Sequence, residues 1–305
     1  MLPASNPAAN ASKIISERFP GQEGNPIEII VPKGAFMGTQ INQYTTEIAQ
    51  VPGIVRIGNS QVAGDDVRVT AIHSMAPRTP AAEALIKEIR KIRAPEGTLI
   101  GGVAADYADT QIGIAKTMPW ALLWIAIGVL VLLFIFTGSI ILPIKAIILN
   151  ILSLAATMGA ITWIFVDGHL KWLVGDFTTT GSVDTGSIIL VAVVAFGLSM
   201  DYEVFLLSRI KEEHDAGKSN IESVATGLQR SARIITAAAG LLAIVFSSFM
   251  LSGVTSIKML GFGVAFAILL DASLVRALLV PALMRLFGER NWWAPKAMKR
   301  FTINH

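Results

Sequence analysis

No charged residue stands between Lys116 and Lys145, and none between Ala146 and Val166. Three more stretches of this kind follow. One runs from Thr185 to Met200 and is then broken by Asp201 and Glu203; one runs from Ile234 to Ile257; one runs from Met259 to near Leu286, with Asp271 and Arg276 inside it and Arg285 at its end. Counting the third on through Asp201 and Glu203, each is long enough to cross a hydrocarbon core of about 30 Å at 1.5 Å per residue. The sequence therefore predicts five transmembrane helices, near 117–137, 143–166, 185–209, 233–256 and 258–286, and a tail over 289–305. Composition agrees: 53% of the residues are hydrophobic and 15% charged, against roughly 45–50% and 25% in soluble domains. An ordinary soluble enzyme, a disordered chain and a charge-driven nucleic-acid binder are excluded. With no cysteine, disulfides and thiolate metal sites are excluded too.

Lysine and arginine set the expected orientation. Lys145 follows the first helix. Arg209, Lys211, Lys218, Arg230 and Arg233 follow the third, and Arg285, Arg290, Lys296, Lys299 and Arg300 gather at the end. The alternate loops hold Lys171 and Lys258. The basic set is expected on the cytoplasmic side, which places residues 1–116 and the loop 167–184 outside. Trp292 and Trp293 stand where interfacial aromatic anchors are expected. Ile221, Val224, Ala225 and Leu228 form a helical stripe expected to lie against the membrane face or neighbouring helix ends.

Residues 1–116 read as a separate α+β domain. Ile27–Val31, Gly53–Ile57, Asp66–Ile72 and Thr98–Val103 read as strands, with a turn over Asn59–Gly64; Phe36–Ala49 and Pro80–Arg93 read as helices. The order βαββαβ predicts a ferredoxin-like split arrangement. A further helix over Ala104–Thr117 is expected to lead into the membrane.

Several chemistries lack their residues. Gly217-Lys218-Ser219 has Glu212 where a phosphate-binding loop needs glycine. Gly261-Phe262-Gly263 lies in a predicted span and suits close helix packing. His73, His169, His214 and His305 share no ligand spacing. No metal site, bound cofactor or nucleophile–base constellation is expected.

The informative residues are the carboxylates inside the predicted spans, since a charge at the bilayer centre costs at least about 2.5–3.5 kcal/mol. Asp201 lies roughly 22 Å along its helix and Asp271 roughly 21 Å along another of the same direction. Low dielectric favours the neutral carboxyl, so such groups suit proton carriage. Tyr202 adjoins Asp201, and Gly197 and Ser208 share its face. That face is expected to meet other helices or a wet cavity. Asp201 and Tyr202 are the leading proton-relay candidates, with Asp271 secondary and Gly197, Ser208 and Arg276 supporting. The competing reading is a buried ion pair that only fixes helix packing, with Arg276 the obvious partner for Asp271; but on an α-helix the two are about 140° apart, a poor geometry for a direct bond, so Arg276 is expected to reach another helix or the inner surface. Glu203 points away from Asp201 and is expected to be structural.

The run Phe196-Gly197-Leu198-Ser199-Met200-Asp201-Tyr202-Glu203-Val204-Phe205-Leu206-Leu207-Ser208-Arg209-Ile210 closely resembles the signature of MMPL-type transporters of the resistance–nodulation–division superfamily. Asp271-Ala272-Ser273-Leu274-Val275-Arg276, Val280-Pro281-Ala282-Leu283-Met284, Asn291-Trp292-Trp293, and Ile100-Gly101-Gly102 with Asp106-Tyr107-Ala108-Asp109 extend the resemblance over essentially the whole chain. The resemblance implies a proton-driven exporter of lipids or hydrophobic molecules in a bacterial plasma membrane, with protons as the only coupling partner. It implies twelve helices in two repeats, of which this chain is similar to the second without its first helix. It also implies that an Asp-Tyr pair from each repeat meets at the centre; here only Asp201 and Tyr202 are present.

A partial or split sequence is thus expected, its partner being an N-terminal repeat, a second chain or a second copy. The start, Met1-Leu2-Pro3, opens no basic and apolar leader, which fits the same expectation. The alternative readings are a non-transporting accessory or scaffold membrane protein and a protein-export assistant of the same superfamily.

Overall fold

Strand β1 (Ile27–Val31) alternates in side-chain direction, and Ile27, Ile29 and Val31 are all buried, as a strand with one face on a core requires. The computed structural model describes residues 21–175, 177 and 183–295, with Pro7, Ala11, Ile14, Ile15 and Arg18 before them. The predicted basic residues Lys296, Lys299 and Arg300 lie outside the described residues. The described residues form two compact units, one up to Ala121 and the other from Leu122 on.

In the first unit, β1 is followed by α1 (Gly38–Ala49), β2 (Ile54–Ile57), β3 (Gln61–Ala63), β4 (Asp66–His73), α2 (Pro80–Ile89) and β5 (Leu99–Gly101). The antiparallel sheet has the order β2-β4-β1-β5, with β3 also on β4. One face is covered: Tyr44 and Ile48 of α1 and Leu85, Ile86 and Ile89 of α2 pack with Ile29, Val69 and Ala71. Each of the buried Ile, Leu and Val side chains contributes about 1.5–3 kcal/mol by leaving water. On β1 and β4, Glu28 and Arg68 pair at 2.6 Å, and this bond holds the Glu28 carboxyl below its ordinary pKa.

The predicted turn over Asn59–Gly64 is in part a strand. Val62 pairs with Val67 and Ala63 with Asp66. That closes a two-residue hairpin at Gly64-Asp65, and Gly64 takes the positive φ of +62° such a turn favours. Helix α2 starts at Pro80 behind Thr79, whose hydroxyl accepts from the Ala82 N–H at 3.3 Å. It ends at Ile89, short of the predicted Arg93.

Among the described residues, five helices are long and apolar enough to cross a membrane. Helix α3 (Val103–Thr137) begins in the first unit and ends in the second, running through Pro119. The others belong to the second unit: α4 (Ile141–Ile161) with a π turn at Thr162–Val166, α6 (Thr185–Asp215), α7 (Asn220–Ser248) with its 3-10 end, and α8 (Thr255–Leu270). Helix α8 continues as a π-helix over Asp271–Leu279 and as α9 (Val280–Phe287). The short α5 (Lys171–Val174) lies between α4 and α6, and Lys258 of α8 donates to the Val174 carbonyl at 3.2 Å. Helices α3, α4 and α7 start before their charge-free stretches and α6 runs on past its own, because those charged ends remain helical.

Small residues let these helices approach. A Cβ on Gly227 would come within 2.7 Å of Ile210, and one on Gly261 within 2.6 Å of the Phe246 carbonyl oxygen. The segment Ile221–Leu228 is helical and packs against the end of α6. It is the first two turns of α7, opened by the Ser219–Glu222 capping box. Its buried face is Ser223, Val224 and Gly227, while Ile221 is exposed. The capping box and the packing of Gly227 against Ile210 favour continuity with the span.

Trp292 differs from a simple surface anchor. Its ring stacks on His214 at 4.1 Å and its Nε1 donates to Asn220 Oδ1 at 3.1 Å, whereas Trp293 is exposed.

His73 on β4 is inaccessible to solvent; its Nε2 lies 3.1 Å from the Asn25 carbonyl oxygen. Burial holds its imidazole below the ordinary pKa. The unfolded chain therefore takes up a proton below pH of about 6.5 that the fold resists, and stability is lost as pH falls. The slope is at most about 1.4 kcal/mol per pH unit. Thermal unfolding of the first unit's signal between about pH 7 and 5.5 should show this fall, and His73→Met should flatten it. An equal fall in the variant would assign the effect elsewhere.

Candidate functional site

Arg276 is 1% exposed in the middle of a span. A guanidinium cannot lose its proton in a protein, so the surrounding side chains must balance it. Asp271 does so at 2.6 Å, which corrects the expectation that the two residues face apart. The α-helical spacing behind that expectation does not hold here, because Asp271–Leu279 is a π-helix. Its turn closes from i to i+5, as the Val280 N–H to Val275 carbonyl bond shows. That pitch brings residues five apart onto one face.

Helix α6 supplies the rest of this centre. The Ser199 hydroxyl donates to Asp271 Oδ1 at 2.9 Å. Arg276 Nη2 donates in turn to the Ser199 carbonyl oxygen. The guanidinium lies 4.9 Å from the centroid of the Tyr202 ring, within cation–π range. Arg276 Nε and Nη1 have no hydrogen-bond partner among the described residues. Asn150, Ser153, Ser199, Tyr202 and Asp271 line a cavity of about 10 Å³, near the smallest size that admits one water.

The predicted residues divide. Tyr202, Asp271 and Arg276 come together. Asp201 and Gly197 lie on the opposite, exposed face of α6, and Ser208 is two turns on, beside a separate cleft with Phe136 and Lys211. Asp201 does not meet Asp271. Glu203, read from sequence as structural, is 5% exposed and on the buried side. It faces a second cavity of about 10 Å³ shared with Lys145 of α4.

Ser199, Asn150, Glu203 and Lys145 went unread in the sequence as parts of one centre. One signal was available: Asn150, Ser153 and Thr157 recur at helical spacing in the uncharged second stretch, and all three are buried. A polar stripe in a span faces protein or water, not lipid.

Removing one partner of a buried pair leaves the other charged and unpaired, at a cost of about 3–5 kcal/mol. Arg276→Met should therefore lower thermal stability in detergent sharply, and Asp271→Asn with Arg276→Met should recover much of the loss. Equal loss in both proteins would mean that the pair's charge is not what matters.

Comparison with known proteins bears on the whole chain. The model of the MMPL family matches residues 1–303. The Streptomyces coelicolor membrane protein SCO6666 is 37% identical over 98% of this chain and 41% of its own length. The trehalose monomycolate exporter MmpL3 of Mycobacterium tuberculosis is 35% identical over 98% of this chain and 33% of its own. The mycolic acid-containing lipids exporter MmpL11 of Mycolicibacterium smegmatis is 34% identical over 85% of this chain and 28% of its own. The chain thus spans between 28% and 41% of the length of these relatives. With five helices fit to cross a membrane, a buried Asp–Arg centre between them and a family match over nearly every residue, the chain belongs to the MMPL family.

Proposed function

We propose that this chain is the C-terminal repeat of a proton-motive-force-driven exporter of lipids or other hydrophobic molecules, working at an interface with a further repeat. The observation that carries this reading is the two-sidedness of α6. At one level of one helix, Tyr202 meets the buried Asp271–Arg276 pair while Asp201 stands on the exposed face. An intramembrane carboxylate is stable only against another protein surface or water. A second repeat on that face would enclose Asp201 and join it, through Tyr202, to the buried pair. Transporters built from repeats place their coupling sites at such interfaces.

Protonation of Asp201 would remove a charge from that interface and change how the two repeats pack. One charge moved through the membrane field supplies about 2.3 kcal/mol per 100 mV. The relatives named as exporters of trehalose monomycolate and of mycolic acid-containing lipids support a lipid cargo. The sheet order β2-β4-β1-β5, with both helices packed on it, supports a ferredoxin-like reading of the first unit. The grouping of lysine and arginine supports residues 1–116 outside a bacterial plasma membrane and the C-terminus in the cytoplasm.

The test uses the full-length native polypeptide in proteoliposomes with an imposed proton gradient and a fluorescent long-chain lipid. Wild type should move the lipid only with the gradient. Asp201→Asn should abolish that movement while inserting and purifying normally. Gradient-dependent movement at the wild-type rate in the variant would overturn the relay. No lipid movement by wild type, with a preprotein moved instead, would turn the reading to protein export.

A further inference from the structure

We propose that Glu203 and Lys145 form a second proton-exchanging station, between the Arg276 centre and the Asn291 end of the bundle. The inference rests on the proton-driven reading and extends it to a carboxylate on the opposite face of α6 from Asp201.

Three observations carry it. First, Glu203 is 5% exposed inside a helix that crosses the apolar unit, yet among the described residues no hydrogen bond or ion pair reaches its carboxyl group. A buried carboxylate kept only for structure is normally hydrogen-bonded or directly paired. Second, it lies among charges it does not touch. Arg276 and Asp271 act on it from the π-helix side and Lys145 from α4. Asp271 already satisfies one edge of Arg276, and two guanidinium nitrogens remain unpartnered. With Glu203 ionised, the four groups carry two positive and two negative charges; with one proton added to a Glu203 oxygen, they carry one net positive charge. No other change of bonding is needed.

Third, the space between Glu203 and Lys145 is a cavity of about 10 Å³ whose other lining residues are all apolar, Leu142, Leu207 and Met284 among them. It is near the least volume that admits a water, and its two polar groups are the exchanging pair. Lys145 in turn donates to Asn291 Oδ1. Asn291 is fully buried, and its Nδ2 donates to the Met284 and Gly288 carbonyl oxygens at 2.6 Å. Lys145 therefore has two competing anchors, Asn291 and an ionised Glu203. Loss of the Glu203 proton draws the ammonium toward the cavity and loosens its hold on Asn291. Gain of the proton returns it.

The test uses the purified full-length native polypeptide. Infrared difference spectra across a pH jump should show a carboxylic acid C=O band in wild type that is missing in Glu203→Gln. In proteoliposomes with a trapped pH dye, Glu203→Gln should lower proton flux about a hundredfold, the scale of a lost acid–base group. Glu203→Asp should keep part of the flux. The double variant Glu203→Gln with Lys145→Met should stay low, because neutralising both charges does not restore a proton carrier. Recovery of wild-type flux in the double variant would make the pair a structural charge balance and overturn the proposal, as would identical spectra for wild type and Glu203→Gln. A wild-type protein that shows the Glu203 band but carries no proton flux would support the station and overturn the export reading instead.

Discussion

The Arg276 guanidinium is the group on which the second unit depends. It carries a permanent charge inside an apolar bundle, and its isolated burial would cost far more than a domain's net stability. Every nearby feature answers that cost. The helix changes pitch so that Asp271 can reach it, Ser199 orients Asp271 and offers its own carbonyl, and Tyr202 covers the guanidinium with its ring. A nonpolar pair of the same volume would hold the helices together as well or better. The charges are therefore better explained by what they do than by what they stabilise.

Helix α6 is the element that connects this centre to the rest. It carries Ser199, Tyr202 and Glu203 toward the buried side and Gly197 and Asp201 away from it. Rotation or sliding of α6 would change both faces together. Gly227 seats α7 against Ile210 of this same helix, so close that a single added methyl group would clash. Packing this tight moves as a body, not by small local adjustments.

At the far end of the bundle a polar knot ties the chain's turns together. Asn291 holds the end of α9 and accepts from Lys145, Ser139 donates to the Asn291 carbonyl oxygen, and Asn220 joins Trp292 to Met284. Lys145 belongs to this knot and also lines the Glu203 cavity. The physical route from the buried charges to the helix ends is thus one flexible ammonium side chain. The predicted role of Trp292 as a surface anchor missed this, because stacking on His214 and a bond to Asn220 depend on residues distant in sequence.

The sequence by itself determined the five apolar helices, the strands around Ile29 and Val69, and the presence of carboxylates where hydrocarbon should be. These are local properties: charge-free length, alternation and helical spacing are summed along the chain and need no partner. The fifteen residues around Asp201 also carried the family, because a run of that length is specific without any fold. Only the tertiary structure decided which carboxylate faces in. Asp201 and Glu203 are two residues apart on one helix; the small polar neighbours Gly197 and Ser208 pointed to the face of Asp201, whereas the face buried within this chain is that of Glu203. Only the tertiary structure paired Asp271 with Arg276, since a π turn arises where packing outweighs regular hydrogen bonding and leaves no fixed pattern in sequence. Lys145 comes to bond Asn291 and to line the cavity of Glu203 for the same reason: both arrangements are assembled across helices, from residues distant in sequence.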